Sequence, residues 1–329
     1  MSNPVVVEVW RGDRVESVHR GAGVVCDGNG GVVFAFGDIA RPVFPRSAVK
    51  PIQALPLVES GAADGFSDKE LALACASHSG EPEHVATAAA MLARAGVDEA
   101  ALACGAHRPL GALAARALAR TGGEPGPLHN NCSGKHAGFV CLACAQGLPL
   151  AGYETVAHGV QRLVKAALED VCGERLGDPG VDGCSIPAYA LPLTGLARGF
   201  AKLATGNGLA SARAAAARRL LGAMAQQPFH VAGTGRFDTQ AMTLLQGRAV
   251  AKTGAEGVYC AALPDLGYGI AIKIDDGATR AAEVAVAALM DRFLDTPEGF
   301  ASLVRPRLVN WRGLHVGDLR PAGALADPP

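Results

Sequence analysis

The chain has 329 residues, 49% hydrophobic and 19% charged, with 30 Lys and Arg against 31 Asp and Glu. A net charge of -1 leaves no basic footprint for nucleic acid or an acidic membrane surface, and 5% aromatic residues cannot furnish a base-stacking platform. The length suits one large domain or two moderate ones, with ample apolar material for a core.

The first residues, MSNPVVVEVWRGDRVESVHR, lack a basic segment followed by a long apolar one, so no secretory signal is expected. No run of 18 apolar residues offers a membrane span. Nine scattered cysteines are read as reduced thiols of a cytoplasmic protein, most of them small buried hydrophobes.

Residues 5–12, 16–27 and 30–38 are Val- and Phe-rich runs broken by Gly, Asn and Asp, and predict strands; DGNGG at 27–31 predicts a hairpin turn. From 47 onward Ala and Leu recur at helical spacing. Helices are predicted over 68–77, 84–96, 110–122, 135–147, 158–173 and 209–228, several of them ending at Gly. Strand-like runs return over 246–277, followed by an amphipathic helix at 278–294 and one last strand after 310. This order lacks the regular βαβ alternation of a doubly wound sheet. It predicts an α/β chain of the α+β type: a largely antiparallel sheet drawn from both ends, flanked by helices, with a helical lobe over roughly 52–228. We expect one catalytic domain over 1–320 and a flexible tail at 321–329.

RSAVKP, residues 46–51, places Ser47 and Lys50 three apart, on one face if a helix starts there; Pro51 is tolerated in a first turn. A serine hydroxyl needs a base to become a nucleophile, and lysine serves only when neutral, against a reference pKa near ~10.4. Burial or a second cation can lower it. Lys252-Thr253-Gly254 supplies a second cation on a predicted strand, with Gly254 allowing close approach of a ligand. Ser-x-x-Lys early and Lys-Thr-Gly late are two of the three motifs of the penicillin-recognising serine enzymes; Ser-Asp-Asn, the third, is absent. The plain alternative is a capping serine and two ordinary lysines. CASHSGEPEH at 75–84 holds Ser77, His78 and Ser79, either a further serine facing Lys252 or a polar helix-to-loop junction.

LHNNCSGKHAGF at 128–139 is unusually polar and runs into an apolar helix, and VDGCSIP at 181–187 is a turn carrying Asp182 and Cys184. Ordinary zinc chemistry would choose Cys132, His136 and Cys184; two buried free thiols are the alternative. Cys141 and Cys144 form a CxxC inside an apolar helix, where packing is the better reading than redox chemistry.

Taken together, RSAVKPIQALPL, CASHSGE, HNNCSGKHAGF, DGCSIPAYALPL, GTGRFDT and AKTGAEGVYCAALPDLGYGIAIKIDDG resemble the asparaginase II family, the thermolabile rhizobial-type or class 3 L-asparaginases, from about residue 5 to 318. The resemblance implies a serine β-lactamase-like or glutaminase-like fold, a homodimer, and hydrolysis of L-asparagine to L-aspartate and ammonia. It implies Ser47 as nucleophile, Lys50 as its base, and Ser79 with Lys252 as a second pair that relays protons and keeps Lys50 neutral. It also implies one zinc ion on Cys132, Lys135 and Cys184, in place of His136, with Asp182 beside it. Arg46, His78, Asn130 and Asp182 are the expected substrate contacts, and GTGRFDT at 233–239 either helps line the pocket or is a plain loop before the next helix.

Overall fold

The computed structural model describes residues 2–326. Strands β1 (Val5–Arg11), β2 (Arg14–Cys26) and β3 (Val32–Phe36) come first. The helices that follow are α1 (Lys50–Gln53), α2 (Leu55–Glu59), α3 (Asp68–Ala74), α4 (Pro82–Arg94), α5 (Ala112–Arg120), α6 (Ser133–Ala145), α7 (Gly159–Cys172), α8 (Leu193–Thr205), α9 (Ser211–Gln226), α10 (Pro228–Val231) and α11 (Phe237–Leu245). The chain then returns to β4 (Val250–Thr253), β5 (Val258–Leu263) and β6 (Tyr268–Ile274), enters α12 (Thr279–Phe293), and closes with β7 (Arg307–Val309) and β8 (His315–Pro321). No helix among the described residues is long and apolar enough to cross a membrane.

Chain contacts divide the protein into two compact units. The first comprises the residues through Ala48, Leu191–Asn207, and those from Ala241 onward. Its sheet runs β7-β8-β1-β2-β6-β5-β4, with β3 also on β2, and every pairing is antiparallel. The long strand β2 explains how both ends of the chain share one sheet. Its first half pairs with β1 from Arg14 to Arg20, and its second half pairs with β6 from Gly21 to Cys26. All six residues of β5 are buried, which accounts for an apolar run without alternation. Helices α8 and α12 pack on these strands, and α12 buries Ala281, Val284, Leu289 and Met290. The DGNGG turn joins β2 to β3 as its composition predicts, with Asp27 Oδ1 accepting from the amides of Asn29 and Gly31 at 2.8 and 2.9 Å.

The second unit, Val49–Ala190 with Gly208–Gln240, is the inserted helical lobe. Helix α3 packs on α4, α6 and α9, and its Leu71 and Leu73 are fully buried. Each such leucine contributes about 1.5–3 kcal/mol by leaving water. Its start is fixed by Glu70, whose Oε2 accepts from the Ser67 amide and hydroxyl, both at 2.8 Å. Gly134 lies in the first turn of α6, and a Cβ there would lie 2.3 Å from the Leu73 carbonyl, so only glycine lets the two helices touch backbone to backbone.

Two expectations change at this level. The segment expected as a tail from 321 instead packs: Ala322 donates to Val6 O at 2.9 Å, and Ala322 and Leu325 are buried; residues 327–329 lie outside the described residues. Helix α8 falls within the range expected for the helical lobe, roughly 52–228, yet it belongs to the sheet unit.

Candidate active site

Ser47, Arg46 and Lys252 belong to the first unit, and the other expected site residues to the second; the chain passes from one to the other at the Ala48–Val49 bond. Ser47 lies in a 3-10 turn, Arg46–Val49, opened by the Ala48 amide donating to Pro45 O at 3.1 Å. Arg46 holds a left-handed backbone, φ 53, immediately before the serine. That conformation disfavours a residue with a Cβ, so the surrounding structure must hold it. Lys252 is fully buried on β4, with Nζ donating to the Thr253 carbonyl at 2.8 Å. A Cβ on Gly254 would stand 2.5 Å from Pro45 O and 3.3 Å from Ala48 Cβ. The strand carrying Lys252 therefore ends against the turn carrying Ser47. The missing side chain of Gly254 makes room for the chain's own Pro45 carbonyl.

Lys50 begins α1, directly after that turn, and is 1% exposed. Its Nζ donates to Ala76 O at 2.5 Å, Ser77 Oγ at 3.1 Å and Asn131 O at 3.4 Å. These three partners are two carbonyls and a hydroxyl, and the Cys132 thiol also lies within hydrogen-bond reach of the amine; no carboxylate is among them. Of the three, only the Ser77 hydroxyl can reverse roles and donate to an unprotonated amine. The family resemblance points to Ser79 and gives Ser77 no role. Backbone carbonyls such as Ala76 and Asn131 carry no sequence signal at all. Ser79 is 2% exposed and sits between Gly111 and Gly233.

His78, expected to touch substrate, does not face outward. It is fully buried, its Nδ1 accepts from the Gly80 amide at 3.1 Å, and Nε2 meets Ser133 Oγ at 2.9 Å. Ser133 donates onward to Leu128 O at 3.0 Å, so Nε2 carries the proton. Burial, with His84 and Lys50 nearby, pushes the ring well below the usual histidine range and keeps it neutral. Asn130 is likewise committed to the chain: Nδ2 donates to Cys104 O and Gly105 O at 2.8 and 3.0 Å, and Oδ1 accepts from the Cys132 amide at 2.8 Å. These bonds fix the Cys132 backbone.

Cys132, Lys135 and Cys184 come together inside the second unit, all of them buried. Lys135 Nζ donates to Cys184 Sγ at 2.9 Å. A hydrogen bond from Cys184 pushes the Cys132 thiol well down against its burial, with Lys50 and Lys135 helping. That shared bond and burial push Cys184 up, so the pair holds one thiolate readily and a second one reluctantly. Burial works against a charge on Lys135, but Cys132 and Cys184 outweigh it and raise the amine; Asp182 adds to the effect. His136 turns elsewhere, its Nδ1 bonding Tyr153 Oη at 2.6 Å. Among the described residues no three His, Cys, Asp or Glu side chains converge to hold a metal. The set that does converge is two thiols and an amine. It suits a thiophilic divalent ion, provided that binding displaces the amine and thiol protons.

The family model described as L-asparaginase II matches residues 7–321, a range that takes in both units. The match defines a hydrolase acting on amides, with a small-molecule amide as its substrate. The chain belongs to the L-asparaginase II family. No curated protein matches the sequence. Among solved structures, a β-lactamase from Mycobacterium bovis is similar at 14% identity and a TM-score of 0.43, covering 82% of this chain and 94% of its own. The native form of Mglu is similar at 15% identity and a TM-score of 0.40, covering 83% of this chain and 64% of its own.

Proposed function

We propose that this protein is an L-asparaginase that hydrolyses L-asparagine to L-aspartate and ammonia through a serine acyl-enzyme. The observation that carries the reading is Lys50, a lysine 1% exposed, held by two carbonyls and a hydroxyl, and set three residues after a serine in a constrained turn. A lysine ordinarily keeps its amine in water, so an amine buried with no carboxylate partner suits a base better than a surface or packing role.

In this reading Ser47 attacks the side-chain amide carbon and Lys50 takes its proton. Backbone amides at the head of the turn stabilise the oxyanion. Ser79 and Lys252 act as the second Ser-Lys pair and return a proton to the leaving ammonia; water then cleaves the ester. Arg46 and Asp182 remain the proposed substrate contacts. Cys132, Lys135 and Cys184 would hold one zinc ion, which when bound supplies positive charge for an anionic substrate group. We also propose a homodimer.

Ammonia release from asparagine and from glutamine tests the reading. Activity on asparagine that exceeds activity on glutamine supports it. A pocket discriminates one methylene by only about 10- to 200-fold, so a preference for glutamine would move the assignment to a glutaminase. Hydrolysis of neither amide would leave a binding protein.

A further inference from the structure

The loop GTGRFDT, Gly233 to Thr239, has a specific place in the second unit: it roofs Ser79. Gly233 has φ 120, and a Cβ there would lie 2.7 Å from Ser79 Oγ and 2.8 Å from Ser79 Cβ. Only glycine can take that backbone conformation this close to the hydroxyl. What holds the roof down is one carboxylate. The Thr234 amide donates to Glu81 Oε1 at 2.7 Å, and the Thr234 hydroxyl donates to Glu81 Oε2 at 2.7 Å. Both oxygens of Glu81 are thus used by one residue 153 positions away. The base of Glu81 is itself fixed, since its amide donates to His84 Nδ1 at 3.1 Å and its carbonyl accepts from the His84 amide at 2.9 Å. Behind the loop, Thr239 Oγ1 donates to Gly233 O at 2.7 Å, and the Ser77 amide donates to Val231 O at 3.0 Å. The roof is tied at both ends.

We propose that Glu81 and Thr234 are positioning residues: their paired hydrogen bonds latch Gly233 over Ser79 and so fix the direction of the Ser79 hydroxyl. The inference rests on the reading of Ser79 as a member of the proton relay. Thr234 is exposed while Ser79 is buried, so the latch can open without unfolding the core beneath it. Charge-assisted bonds to a fixed carboxylate are the stronger kind, and small displacements of a catalytic hydroxyl are costly to rate.

The test compares Thr234→Val, Thr234→Ser, Glu81→Gln and Ser79→Ala in the full chain, with asparagine as substrate and thermal melting alongside. Thr234→Val removes one latch bond and keeps the backbone bond. It is expected to lower kcat about 10- to 100-fold with KM within about twofold, while the melting midpoint stays within about 3 °C. Thr234→Ser restores kcat, and Glu81→Gln falls between. Three outcomes would overturn the latch while leaving the Ser79 assignment intact: wild-type kcat in Thr234→Val with Ser79→Ala inactive, a rise in KM alone, or no recovery in Thr234→Ser. Wild-type activity in Ser79→Ala would remove the relay itself, and the latch with it.

Discussion

At the residue scale the arrangement turns on side chains whose partners are unusual for their type. Lys50 is buried among carbonyls, Lys135 touches a thiol, and His78 and Asn130 spend their polar atoms on the chain. Lys50→Met keeps the length of the buried stem and removes the amine, so the fold should survive. Its asparagine turnover should fall by about 1,000-fold or more, as measured by ammonia release. At the metal set, zinc content by elemental analysis should drop from about one ion per chain to near zero in Cys132→Ser and Cys184→Ser, and should fall in Lys135→Ala. His136→Ala should keep its zinc, because that ring is bonded to Tyr153 and not to the thiols. The three-residue spacing of Ser47 and Lys50 was legible as a helical repeat, and the thiols near a polar helix start were legible as a candidate ligand set. That Lys135 and not His136 meets the sulfurs depended on which way each side chain leaves α6, and the letters do not carry that. The bonds that His78 and Asn130 make to the chain were not legible for a related reason. A polar residue in a buried loop looks the same in sequence whether it binds a ligand or satisfies the backbone.

At the element scale, helix α3 connects packing to chemistry, since Ala76 and Ser77 follow it by a few residues and hold Lys50. Glu70 anchors that helix and also accepts from Arg94 Nε at 2.6 Å. Burial opposes its charge, but Arg94 and Ser67 outweigh that and hold the carboxyl below the usual range. A lowered folded pKa means that the stabilisation is complete above the unfolded value, about 4.3, and disappears as pH falls through the folded one. Glu70→Gln should cost about 1–3 kcal/mol at pH 7 in urea unfolding, toward the lower end because Arg94 is half exposed. The gap between variant and wild type should close as pH drops below 4; a gap that persists there would mean that packing, not the carboxylate, is responsible. The strands and most of the long helices were legible from period and turn residues. The allocation of α8 was not, because Leu193–Thr205 has the same Ala and Leu texture as the helices of the lobe, and only its contacts with β2, β5 and β6 assign it to the sheet.

At the scale of the whole molecule, order along the chain revealed more than local propensity did. Strands at both ends and helices between them predict a sheet closed by distant segments, and β2 bridging β1 and β6 is how the chain achieves it. Where one compact unit ends and the next begins was not legible, since no Pro- or Gly-rich linker marks the Ala48–Val49 crossing. The proposed homodimer predicts a sedimentation mass near twice the 33.5 kDa of one chain, and a species of single-chain mass at micromolar concentration would rule it out. The measurement that bears most directly on the central claim is ammonia release from L-asparagine by the wild-type protein and by Ser47→Ala, with folding of both checked by circular dichroism. A serine acyl-enzyme at Ser47 predicts robust release by the wild type and about 1,000-fold less, or none, by the variant. Undiminished release by a folded Ser47→Ala protein would contradict it.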